Sequence, residues 1–401
     1  MKKIVVLSQV FHPDTQATSQ LFSDLFQKLT GNDFHVRVIC GFPAVVDKTV
    51  PCPAFERWGG IEIHRCGCAF NFKKSLWRRA LHYLSFSLAA SRKLLQNRDC
   101  DFVFGLTNPP FMPVWLWLLQ KIGKFRYQLM LLDVYPDGLE GLKKISRRHV
   151  FFRFWRAINR RAFRRAEKIF VLGRDMKKLI HERYGVPDEK IIYAPHWSAV
   201  EIKEPKKAED SALCAKLGLQ GKFILQYSGN MGLWHDIETI VRTAALLQSR
   251  EGIHFLMIGD GMRKAAAHSL AREMRLANMT WLPFQPKETL EDSLTCCHAA
   301  LISQREGLQG VAVPCKLYGI LASGRAIIGM VPSGSEIDLV IQEENCGVTT
   351  PPHAPDHLAQ VILHLFQNPK KVREMGERAF ASYQQKYTVD VAVKNFIEAW
   401  H

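Results

Sequence analysis

Short β-rich runs alternate with helical patterns along nearly the whole chain, and this alternation restricts the fold more than any other feature. The first half carries KKIVVLSQ, HVRVICG, IEIHRC, DFVFGL, YQLMLLDV, KIFVLG and KIIYAP, and the second half FILQYSG, HFLMIGDG, MTWLPF, AALISQ, AIIGMV and CGVTT. Between them apolar residues fall at helical spacing, as in Ile237, Ile240, Val241 and Ala244. Repeated strand–helix units build parallel, doubly wound sheets. These strands are too many for one open sheet, and 401 residues exceed one typical core. The expected fold is α/β, two facing Rossmann-like domains with an interdomain cleft. The first domain is expected over 1–197 and the second over 219–387. A polar, strandless stretch, 198–218, joins them, and the last helix, 388–401, returns to the first.

The net charge of +16 points to an anionic partner. Ten scattered cysteines without a C-x-x-C pair read as reduced thiols in a cytosolic compartment, and that spacing argues against zinc. The start, MKKIVVLSQVF, reads as a first strand rather than a signal peptide. No stretch reaches the roughly 18 apolar residues of a spanning helix; the nearest, FMPVWLWLL, stops at Gln120 and Lys121.

Ligands of open α/β sheets bind beyond the carboxyl ends of the strands. The stretch REGLQGVAVPCKLYGILASGRA (305–326) follows such a strand. Glu306 can accept hydrogen bonds from sugar hydroxyls, while the N–H groups of Gly307 and Leu308 donate. Lys316, in the first turn of the next helix, offers a point charge to a phosphate. A nucleoside diphosphate sugar satisfies both ends. Gly229, Asn230 and Gly232 form a small-residue turn before a helix, suited to a phosphate, although an ordinary turn gives the same pattern. Arg263 and Lys264 follow Gly259-Asp260-Gly261, and either can face a ligand or solvent. Phe284 offers an apolar shelf for a base, while Trp281 reads as core.

The order YSGNMG…HDIET, FLMIGDG, LPFQPKE, EGLQGVAVPCKLYGILASGR and GSEI resembles retaining glycosyltransferases of the GT-B type, family 4, of the bacterial lipopolysaccharide and colanic-acid (WbuB-like) kind. SQVFHPDTQATSQL, GLTNPPF and LLDVYPDGLEGL extend the likeness across the first domain. The resemblance implies a nucleotide-sugar in the second domain, with a UDP-sugar ahead of a GDP-sugar, and an acceptor in the first. It implies that Glu306 touches the donor sugar and that Lys316 holds the diphosphate, with no metal cofactor. Two positions depart from the family. Gly319 stands where relatives carry a glutamate for the ribose; Tyr318, Ser323 or Glu336 can take that place, and Glu336 in GSEI is the choice. Asn230 and His235 stand near the places of an arginine and a lysine, so charge compensation falls on Lys316 and Arg263.

On the acceptor side the expectation names Phe11 and Thr18 in the loop region after the first strand, and Tyr135 and Asp137 after YQLMLL. Asp133 is the candidate that orients an acceptor hydroxyl or takes its proton, with His12 as another candidate base. Transfer of this class is described as front-face displacement, in which positioning and stabilisation of the departing diphosphate do most of the work. Asp99-Cys100-Asp101 lies before a strand, at the wrong end of the sheet for a site, and reads as turn chemistry.

The excess charge collects in three aromatic segments of the first domain: 70–86, 108–127 and 146–165, the last with eight arginines and no carboxylate. Such segments suit an anionic membrane surface. Nucleic acid is excluded for want of a binding motif. The sequence therefore points to a glycosyltransferase acting on a lipid-linked or glycan acceptor, cytoplasmic and peripheral on the inner face of the cell membrane. The alternatives are a non-catalytic nucleotide- or membrane-binding relative and a sugar-nucleotide epimerase.

Overall fold

The computed structural model describes residues 1–43, 52–68, 76–96 and 99–401. The chain divides into two compact units: Met1–Ala199 with Gly310–Ala312 and Val389–His401, and Val200–Gln309 with Val313–Thr388.

Among the described residues, the first unit holds β1 (Lys2–Ser8), β2 (Phe34–Cys40), β3 (Phe55–Trp58), β4 (Ile61–Arg65), β5 (Phe102–Leu106), β6 (Tyr127–Leu131), β7 (Ile169–Val171) and β8 (Ile191–Tyr193). They lie in the order β3-β4-β2-β1-β5-β6-β7-β8, parallel except for the antiparallel β3–β4 pair. The central strands are buried along their length, as helices on both faces of a parallel sheet require. Ile4 pairs with Val36 on one side and Phe102 on the other, so β1 sits where the winding reverses. The loops after β1 and β5 flank that point. The helix Val389–Trp400 closes the core of this unit. Its Trp400 meets Phe34, Phe102, Phe104 and Phe170, and its indole N–H donates to Gln128 at 2.9 Å.

The second unit holds β9 (Phe223–Ser228), β10 (Ile253–Ile258), β11 (Met279–Leu282), β12 (Ala299–Ser303), β13 (Ala326–Met330) and β14 (Gly347–Thr350), all parallel, in the order β11-β10-β9-β12-β13-β14. The winding reverses between β9 and β12. The loops after these two strands, 229–236 and 304–315, therefore meet at the switch point where such sheets bind ligands.

The expected linker 198–218 is mostly part of the second unit, which begins at Val200. Ser211 caps a short helix, Ala212–Lys216, and the Asp292 carboxylate accepts from the N–H groups of Ala212 and Leu213, each at 2.9 Å. Cys214 and Leu219 are buried in the core. The polar surface of the segment hides these two anchors from a composition-based reading.

Candidate functional site

The loops after β9 and β10 are built as one piece. Gly229 (φ +128°) donates from its N–H to the Ile258 carbonyl at 2.9 Å. A Cβ on Gly259 would lie 2.0 Å from the Gly229 carbonyl oxygen, and one on Gly261 2.6 Å from that of Met231. Both glycines have φ well inside the positive region, so only glycine allows this approach. The Met231 N–H donates to the Asp260 carbonyl at 2.7 Å, and the Arg263 N–H to the Met231 carbonyl at 2.9 Å.

Lys316 is the first residue of the helix Lys316–Ala322. Its ammonium lies 3.8 Å from the centroid of the Tyr227 ring and donates to the Tyr227 hydroxyl, which donates in turn to the Asn230 carbonyl at 2.9 Å. A Cβ on Gly229 would stand 3.7 Å from the Lys316 nitrogen, so the lysine lies across that glycine. Among the described residues no carboxylate pairs with Lys316, and burial pushes its ammonium down to about 7. Of the two cations after β10, Lys264 is spent on the Gly259 carbonyl at 2.7 Å. Arg263 keeps a buried Nε without a partner.

His235 completes the cluster. Its Nδ1 donates to the Ser303 carbonyl at 2.7 Å. Burial, with the charges of Lys316 and Arg263 nearby, pushes its imidazole down to about 3, so it stays neutral. The switch point thus combines an ammonium and a guanidinium without an acidic partner, an arrangement whose missing charge is an anion's. Tyr227, which holds Lys316, was not singled out from sequence. The only signal was its place two residues before Gly229.

The other expected donor residues divide. Glu306 lies three residues beyond β12, not at its end, and is exposed, with no ion pair among the described residues. The Gly307 N–H already donates to the Gln309 side chain at 3.1 Å, and Leu308 is buried, its carbonyl accepting from Gln304. The Gly307 N–H is thus engaged within the loop itself rather than open to a ligand. A Cβ on Gly232 would meet the Asn230 amide at 2.9 Å, which fits a compact turn. Phe284 is 56% exposed just past β11, whereas Trp281 packs edge-on against His268 at 5.4 Å. Glu336 begins the helix Glu336–Glu344 and is 1% exposed, so it presents no open carboxylate for a ribose. Its place inside the helix start, next to the Ser335 cap, closes it off.

In the first unit Asp133 lies two residues past β6, half-buried, with no side-chain partner among the described residues, and burial pushes its carboxyl up to about 6. Asp137, expected on the acceptor side, is instead fully engaged: it is buried, accepts from Arg183 at 2.8 Å and takes the Tyr184 hydroxyl. Phe11 is also corrected to core, packed against Phe26. His12 lies flat on Trp58, 3.9 Å between centroids, and burial lowers its basicity. Thr18 is the second residue of the helix Ala17–Thr30 and is partly buried. Tyr135 stacks on Trp155. Asp99 pairs with Lys3 at 2.5 Å and Asp101 accepts from the Lys3 N–H at 2.8 Å, both at the amino end of β5.

The basic helix Val150–Arg165 buries Phe152, Trp155, Asn159, Ala162 and Phe163. Phe151 and Phe154 of the same helix are exposed, with Val150. In the helix Met112–Gly123, Leu118 and Ile122 are exposed. Of the segment 70–86, residues 70–75 lie outside the described residues, while Leu81 and Leu84 are exposed on the helix Leu76–Gln96. Among the described residues no helix is long and apolar enough to cross a membrane.

Residues 18–197 match the family "Glycosyl transferase 4-like domain", and residues 212–382 match "Glycosyl transferases group 1". The chain is 25% identical over 99% of its length to the probable glycosyltransferase WbjE of Pseudomonas aeruginosa, covering 97% of that protein. It is also 25% identical, over 94% of its length and 96% of the relative, to the putative colanic acid biosynthesis glycosyl transferase WcaI of Escherichia coli (strain K12). Among solved structures, sucrose-phosphate synthase of Thermosynechococcus elongatus superposes with a TM-score of 0.79 at 14% identity, covering 100% of this chain and 98% of that one. HepE of Anabaena, solved with UDP-glucose, gives 0.71 at 14%, covering 100% and 99%. Two family domains in succession, on two parallel Rossmann-like sheets, make this chain a group 1, family 4-type glycosyltransferase of the GT-B fold.

Proposed function

We propose that this glycosyltransferase moves a sugar, with retention, from a nucleoside diphosphate sugar to a lipid-linked or glycan acceptor in cell-surface polysaccharide synthesis. A UDP-sugar is the preferred donor, in keeping with the UDP-glucose held by HepE. The reaction takes place at the inner face of the cell membrane, where the arginine-rich segments of the first unit meet anionic lipid.

The observation that carries this reading is the pair Lys316 and Arg263 at the switch point of the second sheet, both without carboxylate partners among the described residues. In this reading the diphosphate lies against them, the base reaches the exposed face of Phe284, and Glu306 accepts from sugar hydroxyls. The bond between the anomeric carbon and the phosphate oxygen breaks as the acceptor oxygen bonds to the same face of that carbon. The acceptor proton passes to Asp133 or to the departing phosphate, and the two cations take up the charge that develops on the diphosphate. That role needs no divalent metal.

A second reading, a nucleotide-binding protein that does not transfer, draws on Gly319 and on the burial of Glu336, which leave the ribose without a carboxylate. One experiment separates the two. Binding and slow hydrolysis of UDP-, GDP- and ADP-sugars are measured with and without EDTA, in wild type, Lys316→Ala and Glu306→Ala. Chelator-insensitive cleavage of one donor, lost with Lys316→Ala, supports transfer. Binding without cleavage supports the second reading.

A further inference from the structure

An aromatic stack leads from the Asp133 loop to an uncovered apolar surface. Phe111 ends the loop after β5, and Asp133 and Tyr135 lie in the loop after the neighbouring β6. The helix Val150–Arg165 connects β6 to the parallel β7, so it starts at the carboxyl edge of the sheet, where these loops are. Its Trp155 is stacked on Phe111 (4.6 Å, 18° between planes) and on Tyr135 (6.0 Å, 10°), and Phe151 meets it edge-on at 5.5 Å. The outer end of this stack is open: Phe111 is 45% exposed, Phe151 46%, Phe154 63% and Val150 76%. Single exposed apolar residues are common, but Phe111 and Phe151 on the stack, with Val150 and Phe154 in the same stretch of helix, form a patch that asks for a partner.

The charge around the patch selects that partner. Arg148 and Arg153 are exposed there and have no ion partner among the described residues, and no carboxylate occurs from Ser146 to Arg165. A ligand that fits has an apolar chain and an anionic head, which is the chemistry of a lipid phosphate. We propose that Phe111, Val150, Phe151 and Phe154 seat the hydrocarbon chain of a lipid-phosphate-linked sugar acceptor, with its phosphate against Arg148 and Arg153 and the sugar hydroxyl that attacks the donor toward Asp133. This rests on the glycosyltransferase reading and deepens it, since it chooses a lipid-borne acceptor over a free glycan.

The test uses the full chain and farnesyl phosphate, below its micelle-forming concentration, as the probe. Farnesol and inorganic phosphate serve as half-ligands. Wild type is expected to bind farnesyl phosphate and to bind either half at least tenfold more weakly. Phe154→Ser and Phe151→Ser, both at exposed positions, are each expected to weaken binding about tenfold. Arg153→Gln is expected to weaken farnesyl phosphate but not farnesol. Leu88→Ser, at an exposed leucine on the helix Leu76–Gln96, is expected to change nothing. The proposal is overturned if wild type does not bind the probe, if Leu88→Ser weakens it as much as Phe154→Ser (general adsorption to apolar surface), or if inorganic phosphate binds as well as the full probe. UDP binding to the same variants reports on the donor site separately, because the donor residues Lys316, Arg263 and Tyr227 lie in the second unit.

Discussion

The ammonium of Lys316 sits over the ring of Tyr227, 3.8 Å from its centroid, and donates to the hydroxyl of the same side chain. A cation–π contact and one neutral hydrogen bond hold a positive charge that has no counter-ion. Such a charge is poorly stabilised until an anion arrives. Lys316→Met is expected to abolish UDP binding, by at least a hundredfold, while the protein stays folded. Tyr227→Phe is expected to weaken UDP about tenfold, since the ring remains and the hydroxyl is lost. Titration calorimetry on the purified variants checks both.

The same geometry sets a pH dependence. The Lys316 ammonium is lowered from its unfolded value of 10.5 to about 7. The folded state therefore disfavours the charged form, and this cost is fully present below pH 7 and fades as pH rises to the unfolded value. A bound diphosphate restores the charge. UDP affinity should then fall as pH rises above 7, and binding at pH 8 should take up a proton. Calorimetry in buffers of different ionisation enthalpy measures that uptake; none at pH 8 would sink the assignment.

Asp133 has the opposite sign. Burial raises its carboxyl from 3.8 to about 6, so ionisation costs stability above pH 6. Asp133→Asn is expected to be more stable than wild type at pH 8 and equal to it at pH 3. If Asp133 takes the acceptor proton, the transfer rate of wild type climbs through pH 6, and the asparagine variant loses about 10²–10⁴-fold without that step in its profile. Slow donor hydrolysis to water, read in the same samples, reports whether the donor site is intact.

Glycines of the second unit should respond very differently to alanine. At Gly259 the added Cβ would fall 2.0 Å from the Gly229 carbonyl oxygen, with φ at +130°. Gly259→Ala is expected to cost about 3 kcal/mol or more and to disturb UDP binding. At Gly319 the Cβ meets only Leu294 at 3.7 Å, inside a helix. Gly319→Ala should be neutral or stabilise by about 0.5–1 kcal/mol. Denaturant unfolding of the two variants settles the contrast.

Asp137 gives a structural control. Its carboxylate is buried with Arg183 and Tyr184 as partners. Asp137→Ala strands the buried Tyr184 hydroxyl, while Arg183, 36% exposed, turns to water; the substitution is expected to cost about 1–3 kcal/mol. Its UDP affinity should stay that of wild type, since the donor residues lie in the other unit.

Much of the fold was legible in the alternation of strands and helices, because a parallel sheet covered on both faces must be written in short β-branched runs separated by helical ones. The glycines of GNMG read from sequence as room for a phosphate, whereas the contact that makes Gly259 and Gly261 obligatory, backbone against the Gly229 and Met231 carbonyls, appeared only in the fold. Lys316 could be read from its place after Pro314, at the start of a helix. Local chemistry of this kind is printed in the order of the residues.

Partnership is not. Asp133 and Asp137 stand four residues apart after β6, the second opening the short helix Asp137–Gly141, yet Asp137 is saturated by Arg183 and Tyr184 and Asp133 keeps its carboxylate free of side-chain partners among the described residues. Glu336 was chosen for its charge and proved to be buried, while Tyr227 was overlooked and holds the lysine. Burial and pairing depend on what residues distant in the chain bring to the same place, so sequence alone determined which elements form and which loops follow the strands. The tertiary structure decided which polar groups were left over for a ligand.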